Sequence, residues 1–504
     1  MRTLYRAARV HTLADPRAAD WLLVDGRHVQ RAGSGDPPGA DRVVELPGSS
    51  IVPGFVDAHV HLTSTGLGLA NADVEATTSA EQLLGVAAAR SRGARDVPVL
   101  LRGYDETRWH DPTIPTIHEL DDATEAPLVI LRVDSHVALA NGRAIADAQV
   151  GDAEGLERGS DGEPTGRVTG GAVERLIRWI AGSWTDLEVQ ELQLSAGALA
   201  ASHGVTTIHE MSMPGWYGLR DLQVLLGHRE RLPVDVFTVV ATTDLAQVID
   251  LGLTAVGGDL AVDGSIGART AAISEPYADS VGTGSLYLDA DGMAEFFHDG
   301  HMAGLQVGVH AIGDRAVEQM IATWERVYHA LDSRERRHFR ARRHRIEHFE
   351  MASADHVERA AMLGLAASVQ PGFDAAWGGP DGLYELALGA GRAAAMNPFR
   401  TMLERGLEVG AGSDSPITAL DPMRSIAACE AHHDRGQRLA REEAIRLHTI
   451  GGARLAHQGT KKGALAPGMH ADFSVFEEDP FTAAALDGLR PILTVSLGRE
   501  VFAR

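Results

Sequence analysis

His59 and His61 stand two residues apart in the stretch GFVDAHVHL, Gly54 to Leu62. The stretch reads as a strand, so both imidazoles point to one face. Two imidazoles converging on an apolar strand are costly to bury unless something organises them, and a divalent ion does so. Further along, VGVHAIGDRAV places His310 at the end of an apolar run before a helix. RIEHFEM places His348 in the same setting, and VGAGSDSPI places Asp414 just before a loop. Neutral imidazole and carboxylate suit zinc, with manganese, iron or nickel as alternatives. Three or four such ligands leave a coordination position open, and water there falls to a pKa of about 7. Asp414 has the chemistry to touch the ion, take the proton of that water and pass it to a leaving nitrogen.

These residues need elements that bring them together. The middle of the chain alternates strand-like apolar runs with helical patterns such as DRAVEQMIATWERVYHAL and SADHVERAAMLG. The strand candidates are SIVPGFVDAHVH, GVTTIHE, PVDVFTVV, GDLAVDG, LQVGVHA, HRIEHFE, LAASVQP and LEVGAGSD. Eight parallel strands alternating with helices make a (β/α)8 TIM-type barrel, whose active site lies at the C-terminal strand ends. About 140 residues separate the first candidate from the second, and they hold their own runs, VPVLLRGYDE and APLVILRVD. Counting those as barrel strands would give ten. Residues 66–195 are therefore expected to form an α/β insertion over the barrel mouth. Strand-rich ends, LYRAARVHTL and ILTVSLGREVFAR among them, suggest that both termini meet in a small β-sandwich. The expected organisation is a composite sandwich from 1–52 and 460–504, and a barrel from 53–65 and 196–459.

The 504 residues are 44% hydrophobic, enough for a large core. With 46 basic and 69 acidic residues the net charge is −23, which repels nucleic acid and anionic membranes and leaves a small-molecule substrate as the expected partner. Cys429 is the single cysteine, so no disulfide can form within the chain. The N-terminus has no continuous apolar segment, and no run approaches the roughly 18 residues of a membrane span. A cytoplasmic enzyme or binding protein is expected. Lysine occurs only at Lys461 and Lys462.

IVPGFVDAHVHL, RGYDETRW, PTIPTIHELD, LRVDSHVALAN, DGEPTGRV, GVTTIHE, VDGSIGARTA, HAIGDRAV, RIEHFE, SVQPGF, AGSDSPI and GALAPGMHADFSVF follow one another along nearly the whole chain. In this the sequence resembles the amidohydrolase superfamily, in the amidohydrolase 3 branch that includes N-substituted formamide deformylase. The resemblance implies a barrel with a β-sandwich built from both termini. It implies metal roles for His59 and His61 on barrel strand 1, His310 on strand 5, His348 on strand 6 and Asp414 on strand 8. Relatives of this kind are often dimers, so a homodimer is the partner state it allows.

Many binuclear members bridge their metals with a carboxylated lysine after strand 4. Here that position is Asp259, in DLAVDGSIGARTA, and no lysine precedes Lys461. Composition thus excludes a carboxylated-lysine bridge: either Asp259 bridges two ions directly or one ion is held. The shortness of Asp favours a single ion. Ring deaminases of the superfamily usually place a Glu three residues after the strand-5 His, and here that position is Gly313. This favours hydrolysis of a linear or exocyclic C–N bond in an amide, N-formyl or N-acyl amine, or carbamate. A deaminase or lactonase is the alternative, and a non-catalytic scaffold a third. Asp57 is a candidate to support the histidine pair. His348 or His136 would stabilise the oxyanion, with His136 reaching down from the insertion. Trp109, Asp374 and Trp377 are candidate pocket residues. Arg269 either holds a substrate carboxylate or pins its own loop. His209 and Glu210 are expected to be structural.

Overall fold

A computed structural model describes residues 1–70 and 74–504. The chain divides into two compact units. The first comprises Met1–Leu62, Leu194–Ser212 and His228–Arg504; the second comprises Thr63–Gln193 and Met213–Gly227.

Eight parallel strands form the centre of the first unit: β1 (Phe55–Val60), β2 (Val205–Ser212), β3 (Asp235–Val240), β4 (Ala255–Val256), β5 (Gln306–Ala311), β6 (Arg345–His348), β7 (Ala366–Val369) and β8 (Glu408–Ala411). They are hydrogen-bonded in chain order. The ring closes between β8 and β1, where the Asp414 N–H donates to the His59 carbonyl at 2.8 Å and the His61 N–H to the Ser415 carbonyl at 3.0 Å. Six of the strands lie within the runs chosen by pattern, and β2 extends its run, GVTTIHE, by two residues to Ser212. The fourth departs from GDLAVDG: its ladder covers only Ala255–Val256, and beyond it an isolated bridge joins Ala261 to His310. Gly257, at φ +85°, leaves strand geometry, and only glycine fits there, since the Gly308 carbonyl passes 1.9 Å from where a Cβ would stand.

A seven-stranded sheet draws Arg2–His11, Ala18–Asp25, His28–Gly33 and Arg42–Pro53 from one terminus and Phe473–Phe476, Leu493–Ser496 and Arg499–Ala503 from the other. Its core includes Tyr5, Leu22, Ile51, Phe473 and Val495. The chain passes from this sheet into β1 at Gly54, where a Cβ would meet Thr206 Oγ1 at 2.3 Å. Lys462 joins the sheet to the barrel: buried, it lies 3.0 Å from both Asp235 and Asp472 and donates to Thr207 Oγ1 at 2.9 Å.

The second unit has a five-stranded sheet that contains both runs excluded from the barrel, as Val99–Tyr104 paired in parallel with Leu128–Arg132. The helix Gly170–Ala181 buries Ala172, Val173, Leu176, Ile177 and Ile180 in that unit's core. Met213–Gly227 joins it through Arg178, which donates to the Gly215 carbonyl at 2.8 Å, and through Arg220, which pairs with Asp186. Among the described residues no helix is long and apolar enough to cross a membrane.

Candidate metal centre

The C-terminal ends of β1, β5, β6 and β8 bring His59, His61, His310, His348 and Asp414 together, and the loop after β4 adds Asp259. Asp259 is central. Its Oδ1 lies 3.2 Å from His310 Nδ1, 3.3 Å from His348 Nε2 and 3.8 Å from His59 Nε2; its Oδ2 lies 3.3 Å from His61 Nε2. Asp414 Oδ1 lies 3.1 Å from His61 Nε2 and 3.5 Å from His59 Nε2.

The opposite nitrogen of each ring fixes what faces inward. His61 Nδ1 donates to the Met211 carbonyl at 2.9 Å, and His310 Nε2 to the Gly264 carbonyl at 3.3 Å. His59 Nδ1 donates to Glu347 Oε2 at 3.0 Å, and His348 Nδ1 to Gln370 Oε1 at 2.8 Å. In neutral rings, each inward nitrogen is then a bare lone pair turned toward a carboxylate oxygen. Acceptors facing acceptors require positive charge between them. Among the described residues, no group donates a well-formed hydrogen bond to buried His59 Nε2 or Asp414 Oδ1. The donor set, imidazole nitrogen and carboxylate oxygen, therefore fits a divalent ion.

The electrostatics agree. Burial opposes a charged His348, yet its Asp259 hydrogen bond and the nearby carboxylates raise its pKa to about 9. Burial likewise opposes a charged His61, and Asp259 and Asp414 outweigh it, raising that ring well above its usual value. Burial would push Asp259 up, but His310, His348 and His61 hold it well below the usual carboxylate range. The cluster is a trap for positive charge.

Local backbone geometry aims these groups. His348 and Asp414 are both left-handed, at φ 72° and 55°, a strained conformation that turns their side chains off the strand ends. Asp57 accepts from the backbone N–H of Ser413 at 2.8 Å and of His59 at 3.3 Å, so it ties β1 to the turn carrying Asp414. Burial raises Asp57 to about 7 against those donors. Asp263 accepts from Ala272, Ile312 and Gly313, which fixes the loop whose Gly264 carbonyl orients His310.

The other residues singled out by sequence fall elsewhere. Arg269 pairs with Asp279 and donates to the carbonyls of Ile266 and Gly267 at 2.9 and 2.8 Å, the loop-pinning alternative. Asp374 pairs with His433 and lies 3.4 Å from His432, a third His/Asp grouping among the described residues. His432 is already committed, donating through Nε2 to the Asn397 carbonyl and accepting the Asp434 N–H at Nδ1. Trp377 packs on Phe373, which stacks on His348 at 5.9 Å. Glu210 accepts from the Leu62 N–H at 2.7 Å, a structural task. Trp109 and His136 belong to the second unit: Trp109 is buried in its core near Tyr104, and the His136 N–H donates to Asp134. Pattern reading missed Glu347, Arg345, Gln370 and Asp263. Of these, only the place of Glu347 directly before His348 in RIEH offered a signal.

An amidohydrolase family model matches residues 42–502. The chain belongs to the amidohydrolase family. It is similar to the protein LONG AFTER FAR-RED 3 of Arabidopsis thaliana, at 27% identity over 90% of this chain and 82% of that one. It is 27% identical to the putative amidohydrolase YtcJ of Bacillus subtilis over 92% of this chain and 90% of that one. It is 22% identical to the N-substituted formamide deformylase of Arthrobacter pascens over 92% and 89%. An uncharacterized metal-dependent hydrolase from Pyrococcus furiosus superposes with a TM-score of 0.73 at 27% identity, covering 96% of this amidohydrolase and all of that chain. One from Pyrococcus horikoshii gives 0.77 at 24% identity, covering 97% and 100%. This amidohydrolase thus carries a candidate His/Asp metal site on the fold of a hydrolase family.

Proposed function

We propose that this amidohydrolase hydrolyses a non-peptide C–N bond, in an N-formyl or N-acyl amine, another amide or a carbamate. The carrying observation is the set of inward lone pairs around Asp259 and Asp414. His59, His61 and Asp414 would hold one ion, zinc by its donor chemistry, and His310 and His348 a second. Asp259 Oδ2 faces His61 while its Oδ1 faces His310 and His348, with His59 at 3.8 Å; Asp259 would help to hold both ions, which supports two ions over the single ion that its short side chain suggests. An ion bound there supplies Lewis acidity toward a carbonyl and acidifies water.

Asp414, whose Oδ1 lies 3.1 Å from His61 Nε2, takes the proton from attacking water and gives it to the departing nitrogen. His348, stacked on Phe373 beside Trp377, adjoins an aromatic wall suited to the organic part of a substrate. The similarity to an N-substituted formamide deformylase supports testing formamides first. The single cysteine, Cys429, is free and buried, which supports a cytoplasmic setting.

The test pairs elemental analysis with a panel of formyl, acyl and carbamoyl amides, scored for released amine. About two equivalents of zinc and turnover of one amide class are expected. Ammonia from a ring substrate, or turnover of a lactone only, would replace this reading with the deaminase or lactonase. Asp414→Asn should lower kcat by about 10²- to 10⁴-fold while most of the metal stays bound; full activity in that variant would remove Asp414 from its role.

A further inference from the structure

Three of the four inward-facing imidazoles are backed by neutral acceptors: the Met211 carbonyl, the Gly264 carbonyl and the Gln370 amide. His59 instead donates directly to a carboxylate, Glu347, at 3.0 Å, whereas the nearest carboxylate behind His310 Nε2, that of Asp263, stands 3.9 Å away. That carboxylate is itself gripped, since Arg345 donates from Nε to Oε1 at 2.7 Å and from Nη2 to Oε2 at 2.9 Å. The same guanidinium donates to the Ala58 carbonyl at 2.9 Å and to His209 Nδ1 at 2.9 Å. Arg345, Glu347 and His59 are each 0% exposed.

Burying an ion pair is a poor route to stability, because desolvation of both groups offsets their attraction and an apolar pair of similar volume often serves as well. Its geometry here has a different consequence. Glu347 can only accept, so His59 Nδ1 must carry the proton and Nε2 must be the lone pair facing Asp259 and Asp414. Arg345 holds Glu347 on β6 against β1 at the residue preceding His59 and against β2 through His209. A charged acceptor also makes the ring a stronger electron donor than a carbonyl or amide acceptor does.

We propose that Glu347, held by Arg345, is the positioning residue that makes the His59 side of the centre its high-affinity metal position. The proposal rests on the metal-centre assignment above. His209 follows as a support for Arg345, which gives a buried strand-2 histidine a task beyond packing.

The test is zinc affinity by chelator competition on the apo full-length chain, for the wild type, Glu347→Gln and Gln370→Met. Glu347→Gln should weaken the tightest zinc class by about 10- to 100-fold, the range for lost carboxylate support of a ligating histidine. Gln370→Met should leave that class within about threefold, its loss falling on the weaker class. A cobalt(II)-loaded Glu347→Gln protein should show a displaced visible band, a signature that a packing change away from the ligands would not move. If Glu347→Gln does not fold with Arg345 unpaired, the double variant Arg345→Met/Glu347→Gln removes both charges and should show the same loss. Wild-type zinc affinity in either variant, or superimposable cobalt spectra, overturns the proposal. A wild-type chain that takes up no zinc overturns instead the metal-centre assignment on which it stands.

Discussion

Asp259 occupies the place where many relatives of this kind present a carboxylated lysine, and it reaches four imidazoles with a much shorter side chain. The loop after β4 makes up the difference: Gly257 and Gly258, at φ 85° and 60°, turn the backbone so that Asp259 follows within three residues of the strand. A direct carboxylate needs no carbon dioxide to assemble. Metal loading of this amidohydrolase is therefore expected to be indifferent to bicarbonate, whereas Asp259→Ala should cost about one equivalent of zinc; elemental analysis after loading with and without bicarbonate checks both. Asp414 and the four histidines were legible because each stands at the end of an apolar run. Asp259 was legible only by comparison, as the residue standing where a lysine was expected. Arg345 was not, because a buried ion pair has no local pattern distinguishing it from a surface one, and Glu347 was signalled only by its place before His348.

At the scale of elements, the barrel depends on close backbone approaches that only small residues permit. Gly257→Val would place a branched side chain at φ +85° against the Gly308 carbonyl. A loss of about 3 kcal/mol or more is expected, combining backbone strain with a steric clash, and urea unfolding measures it. The π-helical turn Leu447–Gly451 behind β8 buries His448, and burial alone lowers that ring to about 3. Its folded pKa lies below its unfolded value, so the unfolded chain binds the extra proton. The contribution is intact above about pH 6.5 and is lost as the pH falls toward 3. Between pH 7.5 and 4.5, His448→Leu should lose about 2 kcal/mol less stability than the wild type, read from urea midpoints at the two pH values. Strand periodicity located seven barrel strands and mislocated the fourth, since a two-residue strand followed by two left-handed glycines has no periodicity to read.

For the whole molecule, the rarest basic residue type links the termini to the barrel. Lys462 neutralises Asp235 and Asp472 where the seven-stranded sheet meets β2 and β3. Lys462→Met would leave Asp472 buried without its cation, at about 3–5 kcal/mol, and a lower melting temperature measures that loss. The sequence by itself determined the family, the barrel with its terminal sheet, and five of the residues that meet in the cluster, because strand ends, turns and apolar runs are local and survive in one dimension. Tertiary structure decided the rest. It drew Asp259 between histidines from three strands, committed Arg269 to its own loop, joined residues 213–227 to the second unit, and set Glu347 behind His59 across 288 residues of chain. Those facts are pairings between distant segments, and an imidazole's proton is assigned only by the acceptor that folding brings to its other side.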